Sequence, residues 1–143
     1  MQTTIASEAG AQYRVLLVED SPESVTIVKA FLNDPRIHLT VSYDGADALA
    51  IFKTSTFDLV LMDILMPELD GCETTVAIRQ WEAENSLPRT PITALTASST
   101  PSEVDRIFSS GCSSYLRKPI TRTILLQTAK QFLIGPPKCS VGV

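Results

Sequence analysis

The fold is decided by one stretch of the sequence, Phe57-Asp-Leu-Val-Leu-Met-Asp63-Ile-Leu-Met-Pro67. The apolar run from Leu59 to Met62 predicts a strand that is buried on both faces, as in a parallel sheet. Asp63 follows where this strand ends. A carboxylate at that point lies at the carboxyl edge of the sheet, where open α/β folds place their ligands. Asp63 is therefore the first candidate site residue.

Apolar runs alternate with amphipathic stretches five times along the chain. The predicted strands are Arg14–Val18, Ile37–Tyr43, Leu59–Met62, Pro91–Thr96 and Ser113–Leu116. The predicted helices begin near Ser21, Gly45, Asp70, Thr100 and Thr121. This alternation predicts an α/β fold with a doubly wound, five-stranded parallel sheet and helices on both faces.

Local sequence signals support the helix starts. Ser21-Pro22 offers an N-cap followed by a proline at the first helical position. Asp70-Gly-Cys-Glu73 and Thr100-Pro-Ser-Glu103 both have the spacing of a capping box. The first helix is expected to bury Val25, Val28 and Leu32, the second Ala46, Leu49 and Ala50, and the fifth Leu125, Ala129, Phe132 and Leu133.

Length and composition indicate one soluble domain. The 143 residues are 44% hydrophobic and 20% charged, which suits a globular protein with its own core. The net charge of -4 and the lack of basic runs argue against direct nucleic-acid binding. We expect flexible tails at 1–12 and 135–143 around a domain at 13–134. The N-terminus does not resemble a signal peptide, and no apolar stretch is long enough to insert in a membrane.

The cysteines indicate neither zinc nor a disulfide framework. Cys72, Cys112 and Cys139 are widely spaced, and His38 is the only histidine. We expect reduced thiols in a cytoplasmic protein, with Cys72 and Cys112 as small packing residues.

Chemically suitable side chains follow four of the predicted strands. Glu19-Asp20 follows the first, Asp63 the third, Thr96 ends the fourth, and Lys118 follows the fifth. Because the carboxyl ends of parallel strands meet in one crevice, we expect these residues to lie together. Carboxylates, a hydroxyl and an ammonium suit a divalent metal and a phosphoryl group.

The motifs around these positions resemble those of a known family, the receiver domains of two-component response regulators. The matching motifs are Val18-Glu-Asp20, Leu61-Met-Asp-Ile-Leu-Met-Pro67 with Gly71, Ala94-Leu-Thr-Ala97 and Tyr115-Leu-Arg-Lys-Pro119. The resemblance covers roughly residues 13–134, and the stretch from Ile78 to Ala97 is most similar to receivers of hybrid sensor histidine kinases. It implies a flavodoxin-like (βα)5 fold with strand order 2-1-3-4-5.

The resemblance also implies a chemistry for the site. Asp63 would be the phosphoacceptor, attacking a phosphohistidine and becoming an aspartyl phosphate. Mg²⁺ would be held by four groups: Asp20, Asp63, the backbone carbonyl of Leu65 and, through a water, Glu19. Lys118 would pair with Asp63 in the empty site and with a phosphoryl oxygen afterwards.

The resemblance also implies how phosphorylation would change the shape of the domain. The Thr96 hydroxyl would move to a phosphoryl oxygen and the Tyr115 ring would swing inward. This movement would change the face formed by helix four, strand five and helix five, through which a homodimer is possible. The resemblance implies a cis peptide bond before Pro119. The implied partners are a histidine kinase and, for a receiver of a hybrid kinase, a histidine phosphotransfer protein.

Two other functions fit parts of this sequence pattern. A phosphatase with an aspartyl nucleophile would need a second Asp at position 65, where Leu65 stands. A phosphorylation-independent interaction module would not need the complete set of pocket residues. The protein would not be a classical enzyme: it would catalyse its own phosphorylation and slow dephosphorylation, or it would form the receiver part of a hybrid histidine kinase. Because the Leu65 side chain cannot hold an attacking water, we expect dephosphorylation over minutes to hours.

Overall fold

The chain folds into five successive β–α units. The computed structural model describes residues 11–134, so the predicted tails lie outside the described residues except for Ala11 and Gln12. The strands are β1 (Tyr13–Val18), β2 (Ile37–Ser42), β3 (Leu59–Asp63), β4 (Ile92–Thr96) and β5 (Ser114–Arg117). The helices are α1 (Pro22–Phe31), α2 (Gly45–Thr54), α3 (Gly71–Glu84), α4 (Pro101–Ser110) and α5 (Arg122–Leu133). Where both ends of an element were predicted, they differ from the observed ends by at most one residue.

The five strands form one parallel sheet in the order β2-β1-β3-β4-β5. This result confirms the predicted fold class and strand order. The chain progresses outward in one direction from β1 to β2 and in the other from β3 to β5. The reversal leaves a crevice above the carboxyl ends of β1 and β3, which is where such sheets bind ligands.

Alternate residues of the central strands pack on opposite faces of the sheet, as strand geometry requires. Leu16, Val60 and Met62 pack with α2, α3 and α4 on one side. Leu17 and Leu61 pack with α1 and α5 on the other side. Because β3 is buried along its whole length, its last residue is held rigidly at the edge of the sheet.

Two local predictions are wrong. Helix α2 buries Gly45, Ala48 and Phe52, whereas Ala46 and Ala50 are exposed. The large Phe52 ring stacks on Phe57 in the core and so sets which face of the helix turns inward.

The second wrong prediction concerns the capping box of α4, a helix that begins at Pro101 after Thr100 as predicted but forms only half of the box. Thr100 Oγ1 accepts from Glu103 N at 3.3 Å, which is one half of a capping box. The Thr100 N–H instead donates to Ser98 Oγ at 3.5 Å. At α3 both halves of the predicted box are present, between Asp70 and Glu73.

A buried ionic network fixes the end of α3. Glu82 is 2% exposed and accepts from Arg79 Nη1 at 2.8 Å and from the Thr90 N–H at 2.8 Å. Arg79 Nε also donates to the Gly111 carbonyl at 3.0 Å, in the turn between α4 and β5. The network therefore joins α3 to the segments that enter β4 and β5.

A polar pair and two thiols also lie inside the core. Thr93, on the buried strand β4, places its hydroxyl 2.9 Å from that of Ser114 on β5. Cys72 and Cys112 are buried as predicted, and burial raises the pKa of both thiols. None of the helices that the structure describes is long and apolar enough to cross a membrane.

Candidate functional site

The structure brings the predicted polar side chains together at the carboxyl edge of the sheet. Asp63 is the last residue of β3, Glu19 follows β1, and Lys118 follows β5. Asp63 is 3% exposed and Glu19 is 1% exposed, whereas the neighbouring Asp20 is exposed to solvent. Two buried carboxylates at one edge need compensating charge.

Lys118 supplies part of that charge. Its Nζ donates to Asp63 Oδ1 at 3.0 Å and to Glu19 Oε1 at 3.2 Å. The other oxygen of Glu19 accepts from the Ser21 N–H at 3.3 Å, where α1 begins. The peptide bond between Lys118 and Pro119 is cis. One ammonium thus contacts two carboxylates.

The charge imbalance appears in the pKa values. Burial, followed by the negative charge of Glu19, raises the pKa of Asp63 to about 7 in spite of the opposing effect of Lys118. Burial alone would lower the pKa of Lys118, but its hydrogen bonds and charge interactions with Asp63 and Glu19 raise it. Lys118 therefore compensates the two buried carboxylates only in part, and the site would gain from a second cation.

The acidic residues form a donor set for such a cation. One carboxylate oxygen from each of Glu19, Asp20 and Asp63 lies within 4.8 Å of the others. Three carboxylate oxygens fit Mg²⁺, which prefers oxygen ligands and keeps several waters. Leu65 lies two residues beyond Asp63, in the loop that leads to α3, and its side chain is 70% exposed.

The loop of residues 64–70, which we call the β3–α3 loop, is fixed at both ends. The Ile64 N–H donates to the Leu95 carbonyl at 3.0 Å, and the Gly71 N–H donates to the Ile64 carbonyl at 2.9 Å. A Cβ atom on Gly71 would lie 2.3 Å from the carbonyl oxygen of Asp63, so only glycine fits here. Glu68 has a φ of 66°, which places it in the left-handed region.

Thr96 and Tyr115 lie beside the site on neighbouring strands. The Thr96 hydroxyl donates to the Ser98 carbonyl at 2.9 Å and accepts from the Ser98 N–H at 3.1 Å. The half-buried Tyr115 ring meets the exposed Phe108 ring of α4 edge to face, with centroids 6.0 Å apart. The Thr96 hydroxyl is thus engaged by the loop before α4.

Sequence reasoning missed two groups near the site. Phe108 was not singled out, although a large aromatic residue next to Ile107 on α4 could have been noticed. Arg106 of α4 was also missed, and it forms an ion pair of 2.6 Å with Asp70. No short-range pattern reveals this pair, because its members are 36 residues apart.

A small cavity of about 170 Å³ opens next to the site. Glu19 and Lys118 contribute to its wall, and the rest is mainly apolar. Its remaining lining residues are Ser24, Ile27, Val28, Leu95, Pro119 and Ile120. The acidic edge is thus bordered by an apolar surface between α1 and the start of α5.

The fold and the site define a doubly wound α/β domain with an acidic, lysine-containing pocket at the carboxyl edge of its sheet. The chain belongs to the response regulator receiver domain family, whose profile matches residues 15–130. It is therefore a receiver domain of two-component and phosphorelay signalling, and the predicted resemblance is confirmed. Receivers of this family bind Mg²⁺ in their active site and work with histidine kinases or phosphotransfer proteins.

Relatives include receivers within much longer proteins. The sensor histidine kinase GacS of Pseudomonas protegens is 39% identical over 126 residues, which are 88% of this chain and 13% of the kinase. The sensor protein GacS of Pseudomonas syringae is 40% identical over 80% of this chain and 13% of that protein. The chain thus spans about an eighth of the length of these relatives.

Solved structures with the same fold include complexes of two kinds. One is the receiver domain of the sensor histidine kinase PA1611 from Pseudomonas aeruginosa, which holds magnesium in its active-site cleft. It is 32% identical, the match covers 86% of this chain and 98% of that chain, and the TM-score is 0.76. The co-crystal structure of the Saccharomyces cerevisiae phosphotransfer protein Ypd1 with the receiver domain of Ssk1 gives a TM-score of 0.82 at 29% identity, over 87% and 90% of the two chains.

Proposed function

We propose that Asp63 accepts a phosphoryl group from a phosphohistidine of a partner protein. One observation carries this proposal. The nearly buried carboxylate of Asp63 lies 3.0 Å from the Lys118 ammonium and within 4.8 Å of oxygens from Glu19 and Asp20. This arrangement supports the proposal, because it gathers a buried carboxylate, an ammonium and further carboxylate oxygens around one point at the edge of the sheet.

The metal is proposed to be Mg²⁺. Asp20, Asp63 and the backbone carbonyl of Leu65 would hold it directly, and Glu19 would do so through a water. When bound, Mg²⁺ would neutralise charge on the phosphoryl oxygens, which is the main requirement of phosphoryl transfer. The raised pKa of Asp63 supports the assignment, because a bound cation would favour the ionised carboxylate that must act as the nucleophile.

The remaining steps are assigned to residues of the chain. A carboxylate oxygen of Asp63 attacks phosphorus, the bond from phosphorus to the imidazole nitrogen breaks, and the electron pair stays on that nitrogen. Lys118 then transfers its hydrogen bond from Asp63 to a phosphoryl oxygen. Its 28% side-chain exposure leaves room for that small movement.

Thr96 and Tyr115 are proposed to report the phosphorylated state. For Thr96 to bond a phosphoryl oxygen, its hydroxyl must leave the Ser98 carbonyl. Movement of the loop before α4 would then alter the packing of Tyr115 against Phe108. The surface of α4, β5 and α5 would change shape, and we propose it as the output face and as a possible homodimer contact.

The proposed partners are a histidine kinase and a histidine phosphotransfer protein. The exposed side chains of Ile27 and Leu65 and the apolar cavity beside Lys118 support contact with a folded donor, because they form an apolar border around the acidic pocket. We propose a cytoplasmic location. We also propose that the chain has no direct nucleic-acid partner, because its net charge of -4 disfavours binding to phosphates.

Acetyl phosphate with Mg²⁺ tests the proposal, because this small donor needs no partner protein. Intact-mass spectrometry should show one added phosphoryl group on the wild-type chain. The adduct should be absent from Asp63→Asn and retained by Asp58→Asn, which changes an exposed carboxylate at the other end of β3. If the wild-type chain gains no phosphoryl group, the phosphorylation-independent interaction module becomes the better assignment.

A further inference from the structure

We infer that Arg106 is a positioning residue for the metal site, acting from α4 through Asp70 on the β3–α3 loop. The inference rests on the proposed function, because that loop carries the Leu65 carbonyl assigned to the metal. Arg106 Nη2 lies 2.6 Å from Asp70 Oδ2, a short, charge-assisted contact between two helices. The pair joins the middle of α4 to the last residue of the loop.

Asp70 is well placed to transmit this restraint. Its Oδ1 accepts from the Glu73 N–H at 2.8 Å, and its own N–H donates to Glu73 Oε1 at 2.9 Å. The side chain therefore caps α3 with one oxygen and binds Arg106 with the other. A residue held at three points cannot shift without moving either the helix start or Arg106.

The next residue along the chain packs against the backbone of Asp63. Gly71 packs so closely that a Cβ atom there would lie 2.3 Å from the Asp63 carbonyl oxygen. Its N–H is bonded to the Ile64 carbonyl at 2.9 Å. Displacement of Asp70 is thus passed directly to the backbone that carries Asp63 and leads to Leu65.

Arg106 is also attached to α3 through its backbone. Its carbonyl oxygen lies 4.0 Å from the thiol sulfur of Cys72, within the distance of a weak sulfur hydrogen bond. Its side chain is 46% exposed, so the contribution of the ion pair is limited by solvent screening. Loss of the pair should therefore loosen the loop without unfolding the domain.

The experiment compares Mg²⁺ dependence in variants of the 143-residue chain. Phosphorylation by acetyl phosphate is followed at increasing Mg²⁺ concentration in the wild type, Arg106→Ala and Arg106→Lys. We expect Arg106→Ala to raise the half-saturating Mg²⁺ concentration about two- to fivefold, as suits a partly exposed ion pair. The rate at saturating Mg²⁺ should stay within about twofold of wild type, and Arg106→Lys should restore part of the affinity.

Arg36→Ala is the matched control. It breaks another Arg–Asp pair, with Asp34 at 3.0 Å, in the loop before β2. This variant should leave the Mg²⁺ dependence unchanged. An Arg106→Ala protein with wild-type Mg²⁺ dependence would overturn the inference. The inference would also fail if Arg106→Ala lowered the maximal phosphorylation rate to the same extent as the affinity for Mg²⁺.

Calorimetric titration with Mg²⁺ alone separates this inference from the proposed function. The measurement needs no phosphoryl donor, so it still reports on Arg106 if Asp63 proves not to be phosphorylated. Because coupling between two sites is reciprocal, Mg²⁺ should also slow hydrogen exchange in α4 of the wild type more than in Arg106→Ala. Equal slowing in both proteins would contradict the link between α4 and the loop.

Discussion

Lys118 donates a hydrogen bond of 3.0 Å to Asp63 while its ammonium also lies 3.2 Å from Glu19, so a single cation serves two buried carboxylates. This relationship explains why the domain should be both a good cation binder and less stable without one. Burial of a second negative charge beside one lysine costs free energy of folding that a bound metal would offset.

The first prediction concerns Asp63→Asn in the absence of Mg²⁺. The pKa of Asp63 is about 7 in the folded state against an ordinary value of 3.8, so folding takes up a proton between these pH values. The free energy of unfolding of the wild type should therefore fall as the pH rises from about 4 to 7. Asn carries no charge, so the variant should be more stable at pH 7.5 by roughly 2–4 kcal/mol.

Urea denaturation at several pH values measures this effect. Asp58→Asn serves as the control, since Asp58 is exposed and Asn can still accept from the Arg14 N–H. Saturating Mg²⁺ should stabilise the wild type far more than Asp63→Asn. A variant no more stable than wild type at pH 7.5 would show that Asp63 is already fully compensated by Lys118.

The second prediction concerns the lifetime of the phosphoryl group. Leu65 presents an exposed apolar side chain two residues from Asp63, which cannot hydrogen-bond an attacking water. Leu65→Asn supplies an amide that can hold such a water, and it should shorten the phosphoryl half-life several-fold. The half-life is followed by mass spectrometry after the donor has been removed.

Leu87→Asn is the comparison for Leu65→Asn. Leu87 is another exposed leucine, in the segment between α3 and β4, and its replacement should not change the half-life. An unchanged half-life in Leu65→Asn itself would mean that position 65 does not control access of water to the site.

The third prediction concerns the buried network at the end of α3. Glu82→Ala would leave Arg79 buried without its carboxylate and the Thr90 N–H without its acceptor. The free energy of unfolding should fall by about 3–5 kcal/mol, the typical cost of removing one partner of a buried ion pair. Urea denaturation at neutral pH gives the value directly.

Glu84→Ala tests whether any loss is specific to the network. Glu84 lies two residues further along the same helix and is exposed, so its replacement should change stability by less than about 0.5 kcal/mol. Glu82→Gln keeps the shape of the side chain and one hydrogen-bond acceptor. Its loss of stability should lie between the losses for Glu84→Ala and Glu82→Ala. Similar stabilities for Glu82→Ala and wild type would show that the network contributes nothing net.

Sequence periodicity predicted the strands and the meeting of Asp63, Lys118 and Glu19, because a buried parallel strand leaves few choices for where its last residue points. The strand order followed from the resemblance to receiver domains. The face of α2 was predicted wrongly. Several small alanines give a weak helical pattern there, and the single Phe52 ring outweighs them once tertiary contacts form.

Long-range side-chain pairs could not be predicted in the same way. The partners in Arg106–Asp70 and Thr93–Ser114 lie 36 and 21 residues apart, and nothing in their local sequence specifies them. Thr93 looks misplaced in an apolar strand until the neighbouring strand supplies its hydroxyl partner. These contacts follow from the fold rather than from local sequence propensity.

The bond between Lys118 and Glu19 spans 99 residues, from the start of α1 to the start of α5. During synthesis the pocket therefore cannot be assembled until almost the whole domain has left the ribosome. A nascent or truncated chain would expose Asp63 without its lysine and would be a poor acceptor. The distance between these two residues along the chain thus makes a complete acceptor pocket conditional on completed folding.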